Sequence, residues 1–491
     1  MRPTTDDVKY YFGVHGSVER TLSALRASGF AFRDSEVRKV IRALQQGCEY
    51  VSPQTPLLFI SMAGGLAHEG FIRNAVALMQ ELGGLIVTDR PDSLIPNKMG
   101  VIARAEVRND FLSVHGELRL HPNLVNPLTG MASYSEADNV VLFHNKQRME
   151  SIATMPGSRA RLLWSTGSGC TPETSYDGSR AALRARKLHT LGGLLYLPGE
   201  DGASMYPIQS TESDGSFYFM QYHCCGGSVQ EVEDSVHSVN FGDIHTEKLD
   251  DEHIESIVQT LDALQPQRVL LHDLLDFEAR NHHETFQKFL RFRKFVLNSD
   301  EVGMNILRVA RLLSMLAKRF PDTEFIVVPS NHNDALDKWV NSPQPDTDYK
   351  NIAFWHACNS AMYTELYRNP QADRSMLQIL LHEIVEEYSN IVFPSRNDSI
   401  QFKGVEFNLH GDAGPNGVRG TARNIDRLGM KANIGHVHSP CILNFVYAAG
   451  VHGKLDHGYN KGLSSWANSA ILTYKDGSRT MSVYGKFPKR G

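Results

Sequence analysis

Five apolar runs between Val239 and Val437 each break off into a cluster of Asp, Asn and His, and this repeated punctuation constrains the fold more than any other feature of the 491-residue chain. A short apolar run that stops at polar residues and glycine is the pattern of a buried strand in an open α/β sheet, whose carboxyl ends face a ligand crevice. The runs are Val239-Asn240-Phe241-Gly242-Asp243-Ile244-His245, Val269-Leu270-Leu271-His272-Asp273-Leu274-Leu275-Asp276, Phe325-Ile326-Val327-Val328-Pro329-Ser330-Asn331-His332-Asn333-Asp334, Val405-Glu406-Phe407-Asn408-Leu409-His410-Gly411-Asp412 and Asn433-Ile434-Gly435-His436-Val437-His438-Ser439. Helical periodicity is expected at 252–264, 284–296, 304–319 and 375–388, so the C-terminal half reads as a layered α/β domain.

Taken singly, an Asp-x-His or an Asn-His is usually a turn or a satisfied polar residue. Five together at successive strand ends would desolvate carboxylates, an amide and imidazoles without a partner, which is costly unless a cation joins them. Asp243 and His245 alternate along a strand end and are expected on one side, as are His436 and His438. Asp273 has two oxygens with which to bridge two ions, and Asn331 offers an amide oxygen. Mixed imidazole, carboxylate and amide donors suit Mn²⁺, Fe or Zn²⁺ better than an all-oxygen Mg²⁺ site, with Mn²⁺ the first choice.

The rest of the chain bounds the setting. With 41% hydrophobic and 21% charged residues it is an ordinary globular protein. No run approaches the roughly 20 apolar residues of a membrane span, and the acidic start lacks the pattern of a signal peptide, so a cytoplasmic protein with no membrane partner is expected. Its six cysteines form no C-x-x-C pair and read as reduced thiols. The net charge of −5 argues against a general nucleic-acid coat, but Ser17–Gln46 holds six basic against three acidic residues. Two helices are expected there, forming a packing hairpin or a helix-turn-helix-like module, and the domains are drawn at 1–48, 49–235 and 236–491. The middle one opens as β-α-β, with Leu57–Ile60, a helix through Ala75–Leu82, and Leu85–Val87. Ala63-Gly64-Gly65 follows its first strand, although neither G-x-G-x-x-G nor Walker spacing is present. Gly157–Asp177, rich in Gly, Ser and Thr, reads as a long loop. The basic run Arg180, Arg184, Arg186 and Lys187 follows it on helical spacing, as a polyanion surface or a solvated face.

The five motifs resemble the calcineurin-like metallophosphoesterases, whose pattern runs D-x-H, G-D-x-x-D, G-N-H-D/E, an isolated H, and G-H-x-H, over about residues 236–491. The resemblance implies an αββα sandwich, with Asp243, His245 and His438 on a first metal, Asp273 bridging, and Asn331, His410 and His436 on a second. It makes His332, beside a ligand, the general acid. His272 and Ser330 stand where that family has glycine. The surroundings, His272-Asp273-Leu274-Leu275-Asp276-Phe277 with Arg280-Asn281-His282-His283-Glu284, and Lys461-Gly462 before Ser464-Ser465-Trp466, are similar to a bacteriophage branch, the early DNases of T5-like phages. That implies a DNA partner, degradation of host DNA and a place in the host cytoplasm. A small-molecule phosphatase or cyclic-nucleotide phosphodiesterase uses the same chemistry, and a non-catalytic scaffold is the third reading. Strand polarity and subunit number, a homo-oligomer included, are left open by the sequence.

Overall fold

The computed structural model describes residues 2–45, 49–63, 65–103, 106–134, 137–172, 178–199, 202–281, 287–343 and 347–484. The chain is a mixed α/β protein with several sheets, and it divides into two compact units, Met1–Glu231 and Val232–Gly491.

The two helices expected over Ser17–Gln46 are α2 (Val18–Ala27) and α3 (Asp34–Gln45), and a further helix, α1 (Thr5–His15), precedes them. Val8 of α1 joins Leu22, Leu25, Val37 and Ile41 in one small core. Only one α1 side chain is buried, which is why the sequence shows no apolar stripe there. Arg38 of α3 pairs with Glu19 at 2.6 Å, and Lys39 pairs with Asp110.

Next come β1 (Leu57–Ile60), α4 (Glu69–Glu81), β2 (Leu85–Thr88) and β3 (Gly100–Ile102), whose strands are mutually parallel. A second pair of parallel strands, β4 (Leu112–His115) and β5 (Asn139–Leu142), follows. Gly116, just past β4, is fixed by close approach, since a Cβ there would lie 2.0 Å from the Ala103 carbonyl oxygen past β3. The expected loop at 157–177 is wrong in its middle, where Arg161–Gly167 is a strand (β6) paired with both Asn139–Leu142 and His144–Ile152. Leu162, Leu163 and Trp164 are buried, and that short apolar run outweighs the flanking Gly and Ser; residues 173–177 lie outside the described residues.

In the second unit β7 (Val236–Phe241), β8 (Arg268–Leu271), β9 (Glu324–Val327) and Ile391–Val392 pair in parallel, and β10 (Ser469–Tyr474) joins β7 antiparallel. Helices α5 (Asp251–Leu264) and α6 (Val302–Arg319) occupy the crossovers that parallel pairing requires. A second sheet contains Val405–Glu406, β11 (Lys431–Ile434) and β12 (Val446–Ala448). The two sheets meet where Leu270 and Ile326 pack on Val405 and Phe407. Period-2 alternation explains both faces of β11. Asn433 donates to Asn240 and Thr473 of the first sheet at 3.0 Å, whereas Ala432 and Ile434 pack against Ala422 and Ile425 of a short helix. Helix 284–296 of the sequence reading is observed as Lys288–Val296, and 375–388 as two short helices, Met376–Leu380 and His382–Glu387. Residues 282–286, which carry His282, His283 and Glu284, lie outside the described residues. Helix Ile352–Arg368 had no sequence signal because Cys358 is its one buried side chain. Among the described residues no helix is long and apolar enough to cross a membrane.

Candidate metal centre

The carboxyl ends of β7, β8, β9 and the strand Val405–Glu406, and the turn after β11, supply the donors. Pairing continues past the strand ends: Ile244 N donates to His272 O at 3.0 Å, and His245 N to Asp273 O at 2.7 Å. This ladder sets the first two motifs side by side. His245 (φ 45°), Asp273 (φ 42°) and His436 (φ 62°) all lie in the left-handed region, which side-chain-bearing residues rarely adopt and which is typically retained at functional sites. Simple alternation therefore does not aim these groups. His436 and His438, expected on one side, turn to different partners: His436 Nδ1 lies 3.1 Å from Asn331 Oδ1, and His438 Nε2 lies 3.1 Å from Asp243 Oδ2.

Two donor groups result. In the first, atoms of Asp243, His245, Asp273 and His438 all lie within 4.8 Å of one another and all four residues are buried. His245 Nδ1 donates to Leu275 O at 3.2 Å, which leaves Nε2 facing His438 Nε2 at 3.3 Å. In the second, His410 Nε2 lies 3.2 Å from Asp273 Oδ2 and 3.0 Å from Asn331 Oδ1, the atom that His436 also approaches. Asp273 belongs to both groups. Among the described residues, the buried Oδ2 atoms of Asp243 and Asp273 find no well-aligned hydrogen-bond donor, their close neighbours being the imidazole nitrogens of His438 and His410. Carboxylate, amide and imidazole lone-pair atoms converging in a buried space are what a cation satisfies, so the residues fit a metal ion.

Electrostatics point the same way. Burial alone would raise Asp273 and Asp243, but His410 and the neighbouring imidazoles hold both below the usual carboxylate range, Asp273 far below. Burial alone would lower His410, but Asp273 and Asp243 push it up to about 9. Its imidazolium thus carries the positive charge that two buried carboxylates require. Burial and the charge of His332 hold His245 well below its ordinary value, in the neutral form that metal ligation needs.

His332 sits at the rim, 19% exposed. Its Nδ1 donates to Asp276 O at 3.1 Å, which leaves Nε2 as the ring nitrogen not engaged by that bond. Burial would lower its pKa, but Asp273 and Asp276 raise it on balance. The departure His272 is fully buried, with Nδ1 3.4 Å from His410 Nδ1; burial, then His410, pulls it down to about 4 and keeps it neutral.

Sequence reasoning missed four contributors. His457 lies within 4.8 Å of His245 and His438, and Asp276 within the same distance of His245 and His332. Glu247 accepts from Asp276 N (2.9 Å) and Phe277 N (3.1 Å) and so pins the Asp273 loop. Trp466 stacks edge-on against His438, ring centroids 4.1 Å apart. Asp276 and Trp466 stood inside quoted motifs and could have been found there; His457 follows no apolar run and carried no signal. Arg180, Arg184, Arg186 and Lys187 form an exposed face of the helix Arg180–Lys187 in the first unit, with Ala182 and Ala185 buried beneath.

Over 395 residues, 78% of this chain and 70% of the relative, the sequence is 30% identical to Protein A1 of Escherichia phage T5. The chain belongs to the phage Protein A1 family. No family model matches it, and no solved structure does. This member of a phage protein family thus carries buried His and Asp groups that could hold a metal.

Proposed function

We propose that the chain is a dinuclear metal-dependent phosphodiesterase of the calcineurin-like type that hydrolyses DNA, with residues 236–491 as its αββα catalytic domain. The supporting observation is Asp273, whose carboxylate belongs to both donor groups. Asp243, His245 and His438 would hold one divalent cation, Asn331, His410 and His436 the other, Mn²⁺ being the first choice in each. Bound there, such ions would supply Lewis-acid polarisation of a phosphodiester and activation of water near neutral pH. His332 gives its Nε2 proton to the leaving alkoxide: the Asp276 carbonyl fixes its Nδ1 proton, and Asp273 and Asp276 favour the charged ring. Leu275 O fixes the His245 tautomer, and Trp466 with His457 walls the His438 side.

A long polyanion is favoured over a small phosphate ester by the exposed cationic helix Arg180–Lys187, and phage kinship supports a role in host-DNA breakdown in the host cytoplasm. The test is incubation of the protein with linear and circular DNA, a cyclic nucleotide and a nucleoside monophosphate, with Mn²⁺ or EDTA. Mn²⁺-dependent loss of DNA is expected. Intact DNA beside efficient turnover of a small ester would replace the nuclease by the small-molecule reading.

A further inference from the structure

A second candidate site lies in the first unit, on residues between Ala63 and Asn145, none of which is a donor of the metal centre. A cavity of about 620 Å³, within the range of small-molecule sites (roughly 300–1,000 Å³), opens where β1, β2, β3, β4 and β5 all end. Residues immediately after each strand line it, from Ala63 past β1 to Phe143 past β5. The carboxyl edge of parallel strands is where open α/β sheets bind ligands, and here two parallel sets, locked by the Gly116–Ala103 approach, contribute edges to one hollow.

Its chemistry is that of an anion with an attached apolar ring. Arg90 and Arg119 line the cavity and, among the described residues, neither guanidinium has an ion-pair or hydrogen-bond partner. Asn145, 1% exposed, also lines it, and its buried Nδ2 donates to nothing among the described residues. Behind Asn145 the buried ammonium of Lys146 donates to Asn145 Oδ1 (3.3 Å) and Pro122 O (2.6 Å), with no carboxylate partner among the described residues. Burial, then the charge of Arg148, pulls Lys146 down to about 8, and a bound anion would reverse that pull. The acids in the wall are engaged: Asp89 accepts from Met62 N (2.7 Å) and Ser61 Oγ (3.2 Å), and Glu117 lies 3.0 Å from His115 Nδ1. Ile102, Leu118 and Phe143 supply an apolar wall.

We infer that this cavity binds a nucleoside monophosphate, its phosphate at Arg90, Arg119 and Asn145 and its base against the Ile102, Leu118 and Phe143 wall. The inference does not depend on the metal-centre reading. The full-length protein in EDTA is titrated calorimetrically with AMP, with inorganic phosphate and with adenosine. Saturable AMP binding is expected, with phosphate and adenosine each weaker. Arg119→Ala and Arg90→Ala, both exposed and so expected to leave the melting temperature unchanged, should each weaken AMP roughly tenfold or more, as loss of a charged hydrogen bond does. Arg119→Lys should recover part of that loss. Asp273→Asn, in the other unit, should leave AMP affinity unaltered. Absence of AMP binding by the folded protein, phosphate binding as tightly as AMP, or loss of AMP binding in Asp273→Asn would each overturn the assignment.

Discussion

Replacing Gly435 by alanine would place a Cβ 2.3 Å from Asp243 Oδ1 and 2.9 Å from His272 Cβ. A carbon and an oxygen in ordinary contact stand more than 3 Å apart, so Asp243, His272 or the 435–438 turn must shift by about 1 Å. None can do so independently. Asp243 Oδ1 accepts from His436 N at 3.1 Å, and His272 shares the ladder with Ile244, so movement is passed to both donor groups. Overpacking of this kind costs about 1–3 kcal/mol of stability, and a 1 Å displacement of aligned groups costs on the order of 10²-fold in rate. The comparison is Gly13→Ala in α1, where an added Cβ meets nothing within 4 Å and helix propensity predicts a small gain. Bound Mn²⁺ by atomic emission, thermal melts and hydrolysis of an aryl phosphodiester should be measured on both. A Gly435→Ala protein that binds its full metal complement and turns over at the parental rate would refute the claim that this glycine exists to let the fifth motif approach the first.

Further outcomes follow from individual atoms. Asp273→Asn keeps shape but removes the bridging charge, so both bound metal and turnover should collapse in parallel; full activity at saturating Mn²⁺ would remove Asp273 from its role. His332→Ala should retain most metal, lose roughly 10²–10⁴-fold on DNA and less on an aryl diester whose leaving group needs no proton, and lose the alkaline limb of the pH profile. Equal losses on both substrates would exclude it as the acid. His410, raised from 6.5 to about 9, contributes about 3 kcal/mol to the metal-free protein below pH 6.5, and that stability is lost as pH rises through about 9. Urea titrations in EDTA from pH 6 to 9.5 should show the decline, His410→Gln should flatten it, and saturating Mn²⁺ should abolish it; a decline unaltered in His410→Gln would assign it elsewhere. Charge reversal of Arg180, Arg184, Arg186 and Lys187 should raise the apparent KM for DNA and flatten its salt dependence without changing aryl-diester hydrolysis, and an unchanged salt slope would reduce the run to a solvated face.

What the sequence disclosed depended on whether a residue's role is local. Each of the five motifs combines a strand, which an apolar run announces, with a donor within four residues of its end, and the seven proposed ligands all stand in those positions. The aiming of those donors is different in kind. Alternation predicts that His436 and His438 share a side, yet the strand stops at Ile434 and His436 turns left-handed, so each imidazole meets a different partner. Only contact with Asn331 and Asp243, more than 100 residues away in the chain, decides that. The same holds for α1, for the strand Arg161–Gly167 and for His457: one buried valine, a run of three buried apolar residues with no alternation, and an imidazole on an irregular loop leave no period to read. His272 shows why a departure from a motif need not weaken it. The bulk that replaces glycine lies against His410, and Gly435 makes room for it, since a Cβ at position 435 would lie 2.9 Å from the His272 Cβ. The two positions are therefore coupled. Enlarging Gly435 alone should disrupt the centre, whereas His272→Gly combined with Gly435→Ala should recover part of the lost metal binding by removing one of the two clashes.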